Sequence, residues 1–385
     1  MGQDITIRDL EIADDSLYKT QRVQIGSKSI ITPIKVMDLN RFLPGVPIND
    51  SVKGVNEIVK KFNSERINTA TSTNREQEIN NEINRKFRSH SSEEEVNFCF
   101  AEFEEDKIPT EDELDYLTNL SHVHSDITPL PILQKHFKGV KNEGVQKFES
   151  FHKFVKDAIA SINVLNHKPI MGIIPMAMPS QFIPTLMDTY ANEGIHSICL
   201  DYQGSTVGSS LTKIRKITKT IKQRGLLEKT FTYSLNLGPG KLPKSKTVVP
   251  AKDILSYGFG FDAIGGIHVQ KKLPPEVRQK ILSVQNIFEN SLRLFNKENY
   301  GYYRTNDNSI IQKVYPTDSK IPINLLQNIN TNSKVDKLFN QEQQGLEAVN
   351  LRRVIKERVE MLKYLDKKEY VEKNDIKNLD NIKKK

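Results

Sequence analysis

Three aspartates stand where apolar runs of this chain stop or turn: Asp126 in SDITPLP, Asp201 in CLDYQG and Asp262 in GFDAIGGIHV. A carboxylate at a strand end accepts hydrogen bonds from a ring N–H or amino group, or attacks an electrophilic carbon. Asp126 is followed by prolines that end its strand and leave the carboxylate at the mouth. Asp201 precedes a Gly-Ser turn. Asp262 precedes Gly265 and Gly266, whose missing Cβ atoms let a flat ligand reach backbone amides. Each aspartate also has a structural reading as a turn or helix cap. Glu102, Glu104, Met176, Gln203, Asn236 and His268 fall at similar strand ends, and Gln203, Asn236 and His268 join Gly265 and Gly266 as expected substrate contacts.

His122, His124 and Asp126 alternate, so a strand there would project all three to one face, as an H-x-H metal pair does. With His268 they form the rival reading, a metal-dependent hydrolase. His196 falls at the start of its strand and so at the wrong end for that site. Lys241, Lys244 and Lys246 crowd the loop GPGKLPKSK after an apolar run, which makes them the candidates for phosphate contact. Lys213, Arg215, Lys216, Lys219, Lys222 and Arg224 share one helix and read more simply as a solvated face.

Positioning such groups requires a sheet whose strands end together. From Val96 onward apolar runs alternate with amphipathic segments: VNFCFAEF, PTEDELDYLTNL, SHVHSDITPLPI, a helix over residues 147–166, KPIMGIIPM, PSQFIPTLMDTYANEG, HSICLDYQG, SSLTKIRKITKTIKQRG, FTYSLNLGPG, AKDILSYG and FDAIGGIHV. Then comes a long helix with Val277, Ile281, Val284, Phe288 and Leu292 on one face, and YGYYR as a last strand. Serial βα units predict an α/β fold with a parallel sheet, and their number predicts a (β/α)8 TIM-type barrel. No GxGxxG or GxxxxGK[ST] occurs in a strand-to-helix turn, so a doubly wound nucleotide fold is disfavoured.

Residues 1–95 are expected to hold N-terminal strands, among them RVQIGSKSIITPIKVM, and a polar surface insertion over 51–95. Residues 96–330 are the expected barrel. Residues 331–385 are an expected basic helical extension, with LEAVNLRRVIKERVEMLKYL as one amphipathic helix. The chain has 385 residues, and no apolar run is long enough to span a bilayer. Two cysteines, Cys99 and Cys199, exclude a disulfide framework and a cysteine-rich zinc site and point to the reducing cytoplasm. Fifty-six Lys plus Arg against forty-eight Asp plus Glu give +8, which favours a polyanionic partner.

In their order along the chain these segments resemble the tRNA-guanine transglycosylase family, including its relatives that insert 7-deazaguanines into DNA. SKSIITPIKVM looks like that family's first strand with its Thr-Pro, and SDITPLP like the strand end carrying its base-recognising aspartate. IMGIIPMA is similar to its GIIQGG strand, and NLGPG with KDILSYGFGFD to its GVGxPxDIL…GxDxFD run. The resemblance implies that Asp262 is the nucleophile, Asp126 reads the base and Gly172 admits it. The family's DSGGFQ strand, its LPTR-like segment and its zinc ligands have no counterpart, so acid/base work falls to Glu102, Glu104 or Asp201. The expectation is base exchange in tRNA or DNA with a guanine-like free base through a covalent glycosyl-aspartate, without metal or cofactor. A non-catalytic nucleic-acid-binding barrel is the second rival.

Overall fold

The computed structural model describes residues 5–73, 75–140, 144–165, 168–226, 228–240, 247–269, 291–328 and 330–384. The chain opens with an antiparallel meander of β1 (Ile5–Ile12), β2 (Lys19–Ile25) and β3 (Lys28–Thr32), in which Gly26 takes the left-handed φ of 57° that the tight β2–β3 turn requires.

Parallel strands follow: β4 (Ile34–Lys35), β5 (Met37–Asp38), β6 (Val55–Phe62), β7 (Val96–Phe103), β8 (Thr128–Pro129), β9 (Ile132–Leu133), β10 (Ile170–Pro175), β11 (Ser197–Asp201) and β12 (Phe231–Leu235). After β13 (Val248–Pro250), which pairs elsewhere, β14 (Ala263–Ile264) completes the set. Among the described residues they form two parallel sheets, ordered β4-β14-β12-β11-β10-β8 and β5-β6-β7-β9. Val36 alone separates β4 from β5, and Leu130–Pro131 separate β8 from β9, so the same two chain segments feed both sheets. The sheets pack face to face: Phe98 of β7 stacks on Phe231 and meets Tyr233 edge-on at 5.4 Å.

Helices connect successive strands, as the alternation predicts. α1 (Ser64–Ser72) and α2 (Glu76–His90) follow β6, α3 (Glu111–His124) follows β7, and α4 (Gly144–Leu165) follows β9. α5 (Ile183–Asn192) follows β10, and α6 (Leu211–Gln223) follows β11. The chain is thus α/β with parallel sheets. Gly172 serves this packing: a Cβ there would come within 2.7 Å of the Tyr190 ring of α5, whose hydroxyl donates to the Ile173 carbonyl. It faces a helix and does not open a base site.

Several expectations are corrected. The stretch 51–95 is no surface insertion throughout, because β6 pairs with β7 along its whole length and buries Val55, Ile58 and Phe62; only α1 and α2 lie outside it. Ser121–His124 end α3 instead of starting a strand, since the Thr110–Glu113 capping box starts a helix that runs through them. YGYYR forms β16 (Gly301–Thr305), which is antiparallel to β13 and to β15 (Leu292–Asn296) and lies outside the parallel set. Leu292 therefore sits in a strand, while Val277, Ile281, Val284 and Phe288 of the expected helix lie outside the described residues.

After α7 (Asn308–Val314) and α8 (Ile323–Gln327) comes α9 (Asn332–Lys356). The expected single helix breaks after Lys356, where Arg358 takes φ 54°, and resumes as α10 (Met361–Asp366), with α11 (Lys373–Lys384) last. α9 is built into the fold. Gln341 accepts from the Asp38 amide, Arg352 donates to the Pro33 carbonyl, and Asn340 bonds both Arg293 and Phe295 of β15. Asp15 accepts from the Leu362 amide, and Lys383 reaches the Ala13 carbonyl. No helix among the described residues is long and apolar enough to cross a membrane.

Candidate active site at the carboxyl ends of the parallel strands

Asp201 closes β11 and Glu102 lies one residue from the end of β7; both are fully buried. Asp201 Oδ1 accepts from Asn236 Nδ2 at 2.8 Å and from the Gln203 amide at 3.2 Å, while Oδ2 has no partner among the described residues. Glu102 Oε1 pairs with Lys61 Nζ at 3.0 Å, and its Oε2 is likewise unpartnered. A buried polar atom without a partner costs on the order of 1–3 kcal/mol. Asp253 and Asp336 each leave such an oxygen too, so it is the place of Asp201 and Glu102 at the strand ends that sets them apart.

Electrostatics separates the two groups. Burial pushes the Glu102 carboxyl up to about 7 against the pull of Lys61, and the charge of Asp201 pushes the same way. Burial also raises Asp201, opposed by hydrogen bonds from Asn236 and Gln203 that favour its anion. The charge of Asp201 thus acts with burial to bring Glu102 near 7, where it can hold or release a proton around neutrality.

A third carboxylate organises the neighbouring wall. Glu57 of β6 receives the Tyr233 hydroxyl, the Gly266 amide and His268 Nε2, the last at 3.0 Å. Burial raises Glu57, but the hydrogen bond and charge of His268, with Lys35 and Tyr233, outweigh it and hold the carboxyl below its usual range. Burial pulls His268 down, yet Glu57 and Asp38 lift it above its ordinary value, so each partner favours the charged form of the other. Gly265 makes the arrangement possible: a Cβ there would fall within 2.6 Å of both Glu57 Oε2 and the Tyr233 hydroxyl. Asn236, in a left-handed turn at φ 55°, joins this wall to Asp201 by accepting from the His268 amide at 2.7 Å.

Gly265, Gly266 and His268 also line a cavity of about 550 Å³ between these strand ends and α9. Lys35, Asp38 and Arg41 line it from one side and Arg293 and Lys337 from the other. Its size suits a small organic ligand or one nucleoside.

The sequence-based candidates therefore divide. Asp201, Gln203, Asn236 and His268 are joined by hydrogen bonds at these strand ends, and of the candidates only Gly265, Gly266 and His268 line the cavity. Asp262 and Asp126 are not among them, because each precedes its short strand and so lies at the opposite, amino end. Asp262 is buried with every oxygen used: Oδ1 meets Lys19 at 3.1 Å and Thr32, and Oδ2 takes the Thr232 amide and hydroxyl. Asp126 Oδ2 accepts from Lys28 and from the Asn97 amide. His122 and His124 sit on α3, where His124 bonds Asn80 and burial lowers its pKa to about 4. Among the described residues no three His, Cys, Asp or Glu side chains group as metal ligands. Lys241, Lys244 and Lys246 lie outside the described residues. On the basic helix, Lys213 and Lys216 donate to the Met176 and Ser180 carbonyls, and Arg224 pairs with Asp188. Glu57 escaped the sequence reading; its one signal was a carboxylate inside the apolar run VNEIV. No protein-family model matches the chain, and no curated protein matches it.

Proposed function

We propose that this protein exchanges a base in tRNA or DNA by double displacement at C1′, and that its two parallel sheets are the halves of one closed (β/α)8 barrel. The pairing supports the barrel. Followed from Glu102 to β9, along that chain segment to β8, through β10, β11, β12 and β14 to β4, along to β5 and through β6, the register extrapolates back to the β7 segment near Glu95. Such a displacement accompanies tilted strands in a closed barrel, whose chemistry collects at the carboxyl ends.

The observation that carries the reaction is the pair Asp201 and Glu102, buried at those ends, each with one oxygen tethered and one unpartnered. Glycosyl transfer uses two carboxyl groups in opposite protonation states. The Asp201 carboxylate attacks C1′; the C1′–N bond breaks, its electron pair leaves on the base nitrogen, and Glu102 supplies the proton. The incoming base then gives its N–H proton to Glu102 as its nitrogen attacks C1′ and the ester C–O bond breaks. Glu57, Tyr233 and His268 hold the wall beside the sugar. The net positive charge, with Lys241, Lys244 and Lys246 in the sequence after β12, favours a phosphate backbone. Asp201 thus takes the nucleophilic role that the family resemblance gives to Asp262.

The test incubates wild type, Asp201→Asn and Asp262→Asn with tRNA or DNA and excess free base, then resolves covalent adducts on a denaturing gel. An adduct from wild type and from folded Asp262→Asn, absent with Asp201→Asn, is expected. An adduct that survives Asp201→Asn overturns the assignment. Salt-sensitive binding with no adduct or exchange from any protein supports the non-catalytic barrel instead.

A further inference from the structure

A second cavity, of about 540 Å³, lies on the outer surface between α2, α3 and α4, away from the strand ends that hold the carboxylates. It follows one uncovered face of α3 through Asp112, Tyr116, Asn119 and Val123, a span of about 16 Å at helical rise. One end is apolar: Val123 is 53% exposed, Val164 of α4 85% and Leu165 40%. These are three of the six large hydrophobic side chains exposed among the described residues, so their convergence on one groove is not scatter. The other end is acidic, with Glu76, Asp112 and Asp115. Among the described residues no Lys, Arg or His lines the groove, in a chain carrying +8.

Acidic residues favour the first turn of a helix, which accounts for Glu76 and Asp112. Asp115, one turn further on, accepts from the Ser161 hydroxyl of α4 at 2.8 Å, but no such contact accounts for the solvent-facing valines. A helix laid along α3 would bury the valines and face the carboxylates with its charged end.

We infer that this groove docks a basic amphipathic helix of a partner protein, about three turns long, with apolar residues toward Val164 and Lys or Arg toward Asp112. The charge gradient selects this occupant over a second copy of the same surface, which would set carboxylate against carboxylate. The inference is independent of the chemistry proposed above.

The probe is a fluorescein-labelled fifteen-residue Leu/Lys amphipathic peptide, compared by anisotropy with a Leu/Glu peptide of the same pattern, on the full chain. The Leu/Lys peptide is expected to bind at least about tenfold tighter. Val164→Asp, and separately Asp112→Asn with Asp115→Asn, which keeps an acceptor for Ser161, are expected to weaken it by about fivefold or more while the midpoint of thermal unfolding falls by a few degrees at most. Equal binding of both peptides, or binding unmoved by the groove variants, overturns the inference. So does a concentration-dependent dimer that Val164→Asp abolishes, since a second copy would then fill the groove.

Discussion

The two ends of the parallel strands carry carboxylates in different conditions. At the amino end, buried Asp262 and partly exposed Asp126 pair with lysines and accept from backbone amides, with hydroxyls added at Asp262. At the carboxyl end, Asp201 and Glu102 are equally or more deeply buried, yet each keeps an oxygen without a partner. Satisfied groups hold a fold together, and unsatisfied ones keep capacity for a ligand or a proton. The same residue type at the same kind of boundary is thus held differently according to which end of the strand it occupies.

The sharpest way to break this contrast is through activity. Asp201→Asn keeps shape and hydrogen bonding but removes the charge, so base exchange measured by labelled-base incorporation should fall by about 10³-fold or more, with little change in melting temperature. Asp262→Asn should do the reverse. It leaves Lys19 as a buried cation without its carboxylate, which costs about 3–5 kcal/mol in chemical denaturation, while folded protein keeps its turnover.

Glu102→Gln joins the two readouts. Its folded pKa, about 7, lies above the unfolded value near 4.5. Glu102 is therefore least costly to the fold below about pH 4.5 and increasingly destabilising as pH rises through 7. The variant should be about 1–3 kcal/mol more stable than wild type at pH 8 and nearly equal at pH 4.5, while losing the alkaline limb of the activity profile near pH 7. Gly265→Ala forces a methyl against Glu57 and Tyr233 and should cost about 1–3 kcal/mol. Asp126→Asn loses a half-exposed ion pair but keeps an acceptor for the Asn97 amide, and should cost about 1 kcal/mol or less in the same assay.

Most of the scaffold was legible because its strands are uninterrupted apolar runs, as in IMGIIP and SICLD, and its helices show a clean buried stripe, as in α4. The placement of two aspartates was not, and the cause is local. β8 and β14 are two residues long each, and a strand-boundary error of a few residues moves Asp126 or Asp262 from one end of the sheet to the other. β6 was hidden because VNEIVKKF carries Glu57, Lys60 and Lys61 within it; Glu57 meets His268 across the structure and Lys61 meets Glu102 on the neighbouring strand, pairings a single strand cannot announce. His122 and His124 misled through their spacing of two, which suits a strand but is outweighed by the fourteen-residue capped helix that contains them.

The bonds from α9, α10 and α11 back to Pro33, Asp38, Asp15 and Ala13 set the order of events on the ribosome. The first parallel strand leaves the exit tunnel early, yet the helix that covers it is translated some 300 residues later. A nascent chain must therefore hold that strand without its cover until α9 has emerged, and these long-range contacts close only then. Protection of β4 and β5 from hydrogen exchange should accordingly appear late in refolding and vanish in a chain stopped before α9.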